Sequence, residues 1–179
     1  MKTKEAAAFK EYLQHQHSLV LGEDWSPKIT CWARLLLPNG QISRSQWKEG
    51  LKPINKIRTA RNVKFHVNDS VSFGEIQYYF QCCIKGILLT LAVVLVYSPP
   101  LPDLLIQSHG TFASCKYLGD SNITIIDATC IKAVVAMIPH SPAGITDDSR
   151  YFFLVEQPGL DVANLAGTAV VSDGDAELS

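Results

Sequence analysis

The chain has little with which to cross a membrane. Its longest apolar run, Ile87 to Tyr97, is broken only by Thr90 and is bracketed by Lys85 and Pro99. A helical span needs roughly 17–25 residues, so no integral membrane protein is expected. The residues behind Met1 carry lysines without an apolar stretch, and no secretory signal is read there. The expected location is nuclear or cytoplasmic rather than secreted. CxxC pairs are absent. The five cysteines, Cys31, Cys82, Cys83, Cys115 and Cys130, are odd in number and sparse, which reads as free thiols in a reducing compartment. Thioredoxin-like and zinc-ribbon chemistry therefore has no support. There is no P-loop, dinucleotide fingerprint or nucleophile elbow. Histidines number only five: His15 and His17 diverge on a helix, and His66, His109 and His140 follow no ligand spacing. No metal and no cofactor are expected.

Charge is scarce as well, at 18% of residues, with a net value of -1. That near-neutrality hides an asymmetry. Residues 28 to 64 carry nine Lys or Arg and one acid, whereas residues 65 to 179 carry four and twelve. A basic block of this kind points to a polyanion such as nucleic acid, or to docking on the chain's own acidic part. The residues expected to neutralise phosphates are Lys48, Lys52, Lys56, Arg58, Arg61 and Lys64.

What the chain does have is apolar material, 47% of its residues, enough for one sizeable core. Residues 4 to 20 read as a helix, from the alanine run and the spacing of Phe9, Leu13 and Leu19, with Gly22 as its stop. Pro38-Asn39-Gly40 predicts a hairpin between Cys31–Leu37 and Gln41–Trp47, followed by an irregular basic connector to Arg61. Beyond it the period becomes two. Strands are expected at Val63–Val67, Val71–Phe80, Leu88–Tyr97, Thr111–Leu118, Ile123–Asp127, Ile131–Ile138 and Tyr151–Val155. Asn68-Asp69 reads as a turn, Gly74 as a bulge or tight bend, and residues 103 to 109 as one helical turn. The fold class is mainly β (α+β), a small bent β-sheet or barrel preceded by one N-terminal helix. The expected division is an N-terminal helix at 1–22, a hairpin and basic connector at 23–61, a barrel-like domain at 62–165 and a disordered acidic tail at 166–179.

Reactive constellations can be assembled only on paper. Cys115, His109 and Asp127 make a nominal triad, and Asp103, Asp120 and Asp127 lie near strand ends, where a small metal-dependent hydrolase or nuclease draws its acids. Aspartates favour turns for their own reasons. Aromatic surface is the stronger feature. Tyr78, Tyr79 and Phe80 are consecutive, so at least one ring should leave the core, and Tyr97, Tyr117 and Tyr151 lie near strand ends. Tyr78, Tyr79 and Tyr97 are the expected peptide-binding rings.

The strings FGEIQYYF at 73–80, AVVLVYSPP at 92–100 and IIDATCIKAVVAMIP at 125–139 are flanked by LPNGQ at 37–41 and YFFLVEQPGLD at 151–161. Together they resemble the C-terminal region of transposon-derived proteins of mushroom-forming fungi, over about residues 31 to 165. The order of elements is also similar to a bromo-adjacent-homology (BAH) domain. Gly74-Glu75-Ile76, Val96 to Pro100, Ser108 and Ile131 to Val134 occupy the matching places, although Cys82 to Thr90 is apolar where that family has a polar loop. The resemblance implies a BAH/SH3-like barrel acting in the nucleus as a non-enzymatic interaction module, with chromatin proteins or DNA as partners. A remnant of a larger transposase, with a structural role, is the remaining alternative.

Overall fold

The structure, a computed structural model, describes residues 3–156 other than 20, 21, 23, 24, 26, 52, 54–58, 143 and 146. It is mainly β, with a helix at its N-terminus and open antiparallel sheets. The expected tail and the connector residues Lys52, Lys56 and Arg58 lie outside the described residues.

Helix α1 (Thr3–His17) buries Phe9, Tyr12 and Leu13, three or four residues apart on one face. It ends before the expected Gly22. Ser18 takes a left-handed φ of 52°, and its N–H donates to the Gln14 carbonyl. Strand β1 (Thr30–Trp32) then pairs with the main sheet, and a bend at Ala33 leads into the hairpin of β2 (Arg34–Leu36) and β3 (Ile42–Arg44). Gly40 turns that hairpin with a φ of 80°, at the Asn-Gly site read from sequence. Trp47 is not on the hairpin: the chain leaves β3 at Arg44 and makes a single helical turn, α2 (Gln46–Glu49).

The main sheet is built from β4 (Asn62–Val67), β5 (Ser70–Ile84), β6 (Ile87–Val96), β8 (Ile123–Asp127) and β9 (Ile131–Val134), in the order β8-β6-β5-β4-β9. Strand β1 continues the β4 edge of β5 further along. Both hairpin turns, Asn68-Asp69 and Lys85-Gly86, have two central residues with positive φ, the twist that suits adjacent antiparallel strands. The apolar stretch from Cys82 to Thr90 is therefore not a loop. It is the far end of the β5–β6 hairpin, with Cys82, Ile84 and Leu89 buried under α1 and Cys83, Ile87 and Leu88 exposed.

Gln77 is the extra residue of a β-bulge, since Ile76 pairs with Val94 and Tyr78 with Val93. The bulge resets the alternation. Ile76 and Tyr79 share one face of the sheet, while Tyr78 and Phe80 share the other. Gly74 is not the bulge: it is a close approach, flanked by Val63 on β4 and Val96 on β6. One face of the sheet carries Phe80, Leu91, Val93 and Ile125 against Phe9 and Leu13 of α1. The other carries Val63, Ile76, Tyr79, Ala92 and Val94 beneath Leu35 and Leu37 of the β2–β3 hairpin. The hairpin is tied down where Val134 N–H donates to Gln41 Oε1 at 2.7 Å.

A second sheet, β10-β11-β7, contains β7 (Ser114–Lys116), β10 (Ala136–His140) and β11 (Tyr151–Val155). The expected single strand 131–138 is thus two strands. At Val135, whose N–H donates to the Asn62 carbonyl, the chain passes from one sheet to the other. Pro139 is tolerated because β10 is an edge strand. A bridge between Tyr97 and Tyr117 makes the second link between the sheets, and Phe73, Tyr97, Cys115, Val135 and Met137 fill the junction. The helical turn expected near residue 103 is α3 (Pro102–Gln107). The divisions drawn after residues 22 and 61 do not separate cores, because α1 and β1 pack on the sheet formed by later strands.

A β-carbon at Gly74 would collide with Val94 and come within 2.9 Å of the Leu95 carbonyl oxygen. Gly74→Ala should therefore cost about 1–3 kcal/mol, read as a lower urea midpoint. Gly22→Ala, where nothing lies within 4 Å, should leave the midpoint in place.

Candidate functional site

The basic residues are placed first by their partners. Arg61 lies between two carboxylates, Glu75 at hydrogen-bond contact and Glu49 at 3.4 Å. Burial works against its charge, but Glu75 and then Glu49 outweigh it and hold the guanidinium above its usual range. Lys64 Nζ pairs with Glu156 at 2.8 Å. Lys48 Nζ lies 4.2 Å above the Trp47 ring. Two of the expected phosphate contacts, Arg61 and Lys64, are thus engaged by the chain's own acids.

The three expected surface rings are mostly interior. Tyr79 is fully buried, stacks on Trp32, and donates to Ser43 Oγ at 2.7 Å. Its phenol is pushed up to about 12 by burial. Tyr78 is half-buried and donates to Glu5 Oε2 at 2.9 Å. Tyr97 is buried and donates to Asn62 Oδ1 at 3.1 Å. Of the three consecutive rings, Tyr79 and Phe80 are fully buried on opposite faces of β5, and Tyr78 is the one that stays partly exposed, lining an opening with Glu5, Cys31 and Trp47. Burial raises the phenols of Tyr12, Tyr78 and Tyr97 as well.

Tyr97 nevertheless reaches a real opening. A cleft of about 390 Å³ lies where the two sheets meet, lined by Arg61, Asn62, Glu75, Tyr97, Tyr117, Met137, Arg150 and Phe152. Three rings are grouped in it. Tyr97 is 5.7 Å from Tyr117 and 5.6 Å from Phe152, with Tyr117 6.2 Å from Phe152, and each pair is tilted by about 60°. The Arg150 guanidinium carbon stands 4.2 Å from the Tyr117 ring centre, a cation–π contact. Burial, then the Glu75 charge, raises the Tyr117 phenol. Sequence reading named Tyr97 and noted Tyr117, but had no signal for Asn62, Glu75, Arg150 or Phe152. Asn62 and Glu75 face each other across the β4–β5 hairpin, and Arg150 and Phe152 reach them from the second sheet, which the chain enters at Val135.

The paper constellations are not assembled. Cys115 is fully buried at the sheet junction, and burial pushes its thiol up to about 11. Asp127 accepts from Tyr12 Oη at 2.7 Å. Asp103 lies in the first turn of α3, Asp120 lies in a short 3-10 turn, and His109 is an exposed residue with a φ of 51°. Among the described residues no three of His, Cys, Asp and Glu gather as metal ligands would. No helix among them is long and apolar enough to cross a membrane. The five cysteines are free. No family model, curated protein or solved structure matches the chain.

Because burial raises the phenols of Tyr12, Tyr78, Tyr79 and Tyr97 and the thiols of Cys82 and Cys115, the unfolded chain loses these protons before the folded one does. Their contribution is complete below about pH 9 and is lost as pH rises through the folded values. Urea unfolding between pH 8 and pH 12 should show stability falling over that window, and Tyr79→Phe should flatten part of the fall.

Proposed function

We propose that the protein is a non-enzymatic interaction module, a small bent BAH/SH3-like barrel whose inter-sheet cleft takes a cationic side chain of a protein partner. The observation that carries this reading is Arg150 seated over Tyr117 within a group of three tilted rings. A ring face that holds a guanidinium has the quadrupole and the access to hold another cation. Glu75 lines the same cleft, where its charge is shared with Arg61. The barrel reading draws on three features that redirect strands. The bulge at Gln77, the passage between sheets at Val135 and the bridge at Tyr97 fold successive strands around shared apolar contacts. The BAH-like order of elements makes a lysine-rich or arginine-rich segment of a chromatin protein the natural partner.

Arg150 is then an internal occupant that a ligand must displace. Titration of the isotope-labelled protein with trimethyl-lysine should shift the resonances of Tyr117 and Phe152. Arg150→Ala should bind several-fold more tightly, by removing the competitor. Tyr117→Ala should lose the response, at a cation–π cost of about 0.5–2 kcal/mol. Absence of any shift at millimolar ligand in both the wild type and Arg150→Ala would overturn the reading.

A further inference from the structure

The second sheet has two unlike edges. At β7 the chain after β6 closes the edge. Ser98 N–H donates to the Lys116 carbonyl, Leu101 N–H donates to the Ser114 carbonyl, and Lys116 N–H donates to Ser98 Oγ. Among the described residues β10 has no such cover. Leu154 lies opposite Met137 and gives its N–H to the Ala113 carbonyl, on the β7 side. By the alternation of an antiparallel ladder, the Met137 N–H and C=O and the Pro139 C=O therefore point away from β11. They point to where β4 would continue. Val135 N–H donates to the Asn62 carbonyl, and the next rung would join Met137 to Ala60. The chain turns aside instead: the Ala60 carbonyl accepts from Arg44 N–H, and Thr59 takes a left-handed φ of 46°. The place left beside β10 borders the inter-sheet cleft, which Thr59 and the run from Ala136 to Pro139 help to line. Ile138 is 49% exposed there. An uncovered strand edge is a template for pairing with another chain.

We infer that an extended basic peptide of a protein partner adds to β10 as a fourth, antiparallel strand, in the place that β4 leaves. The inference rests on the reading of the cleft as a cation site and names how the partner's backbone is held. The peptide residue opposite Met137 exchanges two main-chain hydrogen bonds with it and projects its side chain from the same face of the sheet. On that face Met137 packs with Phe152 and Leu154 at the junction. The added strand stands two strand spacings, about 10 Å, from β11 and its Phe152. A short side chain stops well before the rings, whereas a lysine or arginine reaches toward them. Residues 65 to 156 carry eight acids and four Lys or Arg, a balance that favours a basic strand. A second copy of β10 is a poor occupant, because Pro139 brings no N–H to the pairing.

NMR titration and amide exchange of the full chain test this with two probes, free trimethyl-lysine and the capped pentapeptide Thr-Val-trimethyl-lysine-Val-Thr. Without peptide, the Met137 amide should exchange at least about tenfold faster than that of Ile138, which β11 holds. The pentapeptide should slow it. It should also bind at least about fivefold more tightly than free trimethyl-lysine, the effect of two main-chain hydrogen bonds. N-methylation of the central residue, whose N–H faces Met137, should remove that gain. N-methylation of either valine, whose N–H faces solvent, should leave it. A pentapeptide no tighter than free trimethyl-lysine, with both shifting Tyr117 and Phe152, overturns strand addition and leaves the cation reading of the cleft in place. No response to either probe at millimolar concentration, in the wild type and in Arg150→Ala, overturns both. Equal losses from all three N-methylations, or a Met137 amide as protected as that of Ile138 before peptide is added, also overturns the proposal.

Discussion

The structure depends on one strand being buried from both sides. Strand β5 runs through the middle of the main sheet, and its consecutive residues Tyr79 and Phe80 are both fully buried, on opposite faces. Each large side chain removed from water contributes roughly 1.5–3 kcal/mol. A strand that collects this on both faces must be covered on both. Helix α1 is the cover on one side and the β2–β3 hairpin is the cover on the other. The N-terminal third is therefore part of the core rather than an appendage.

Burying so many tyrosines brings hydroxyls into the interior, and each must find a partner. The partners chosen hold the molecule together. Tyr12 reaches Asp127, Tyr78 reaches Glu5, Tyr79 reaches Ser43 and Tyr97 reaches Asn62, each at 2.7–3.1 Å. Every one of these bonds joins segments distant in sequence. Two tie α1 to the sheet, one ties the hairpin to it, and one sits at the junction of the two sheets. Among the described residues, the buried Ser45 hydroxyl and Glu49 Oε1 are exceptions to this pairing.

The charge asymmetry of the chain also resolves into separate uses. Arg61 and Lys64 neutralise acids from the chain's later, acidic part and Glu49, which is structural work. Arg34 and Arg44 stand opposite each other across the β2–β3 hairpin and have no ion pair among the described residues. The cleft is a different environment, with Tyr97, Tyr117 and Phe152 grouped beside Arg61, Glu75 and Arg150 where the two sheets meet.

The sequence by itself determined the local elements. Alternation at Val63, Phe65 and Val67 marked β4, the β-branched run at Ile123 to Ile126 marked β8, and the Asn-Gly pair marked the hairpin turn. These signals are local because hydrophobic period and turn chemistry act over a few residues. Tertiary structure alone decided which faces are covered. The apolar stretch at 82–90 read as an anomaly until α1 was seen to lie on it. Alternation alone did not say which of the rings at 78–80 would be covered, because the bulge at Gln77 and the covers on both sides of β5 decide it. The cleft was illegible because its residues are joined by a sheet-to-sheet passage at Val135 that leaves no periodicity of its own. Whether an arginine pairs with an acid or stands free is set by distances across the fold, and no spacing along the chain records them.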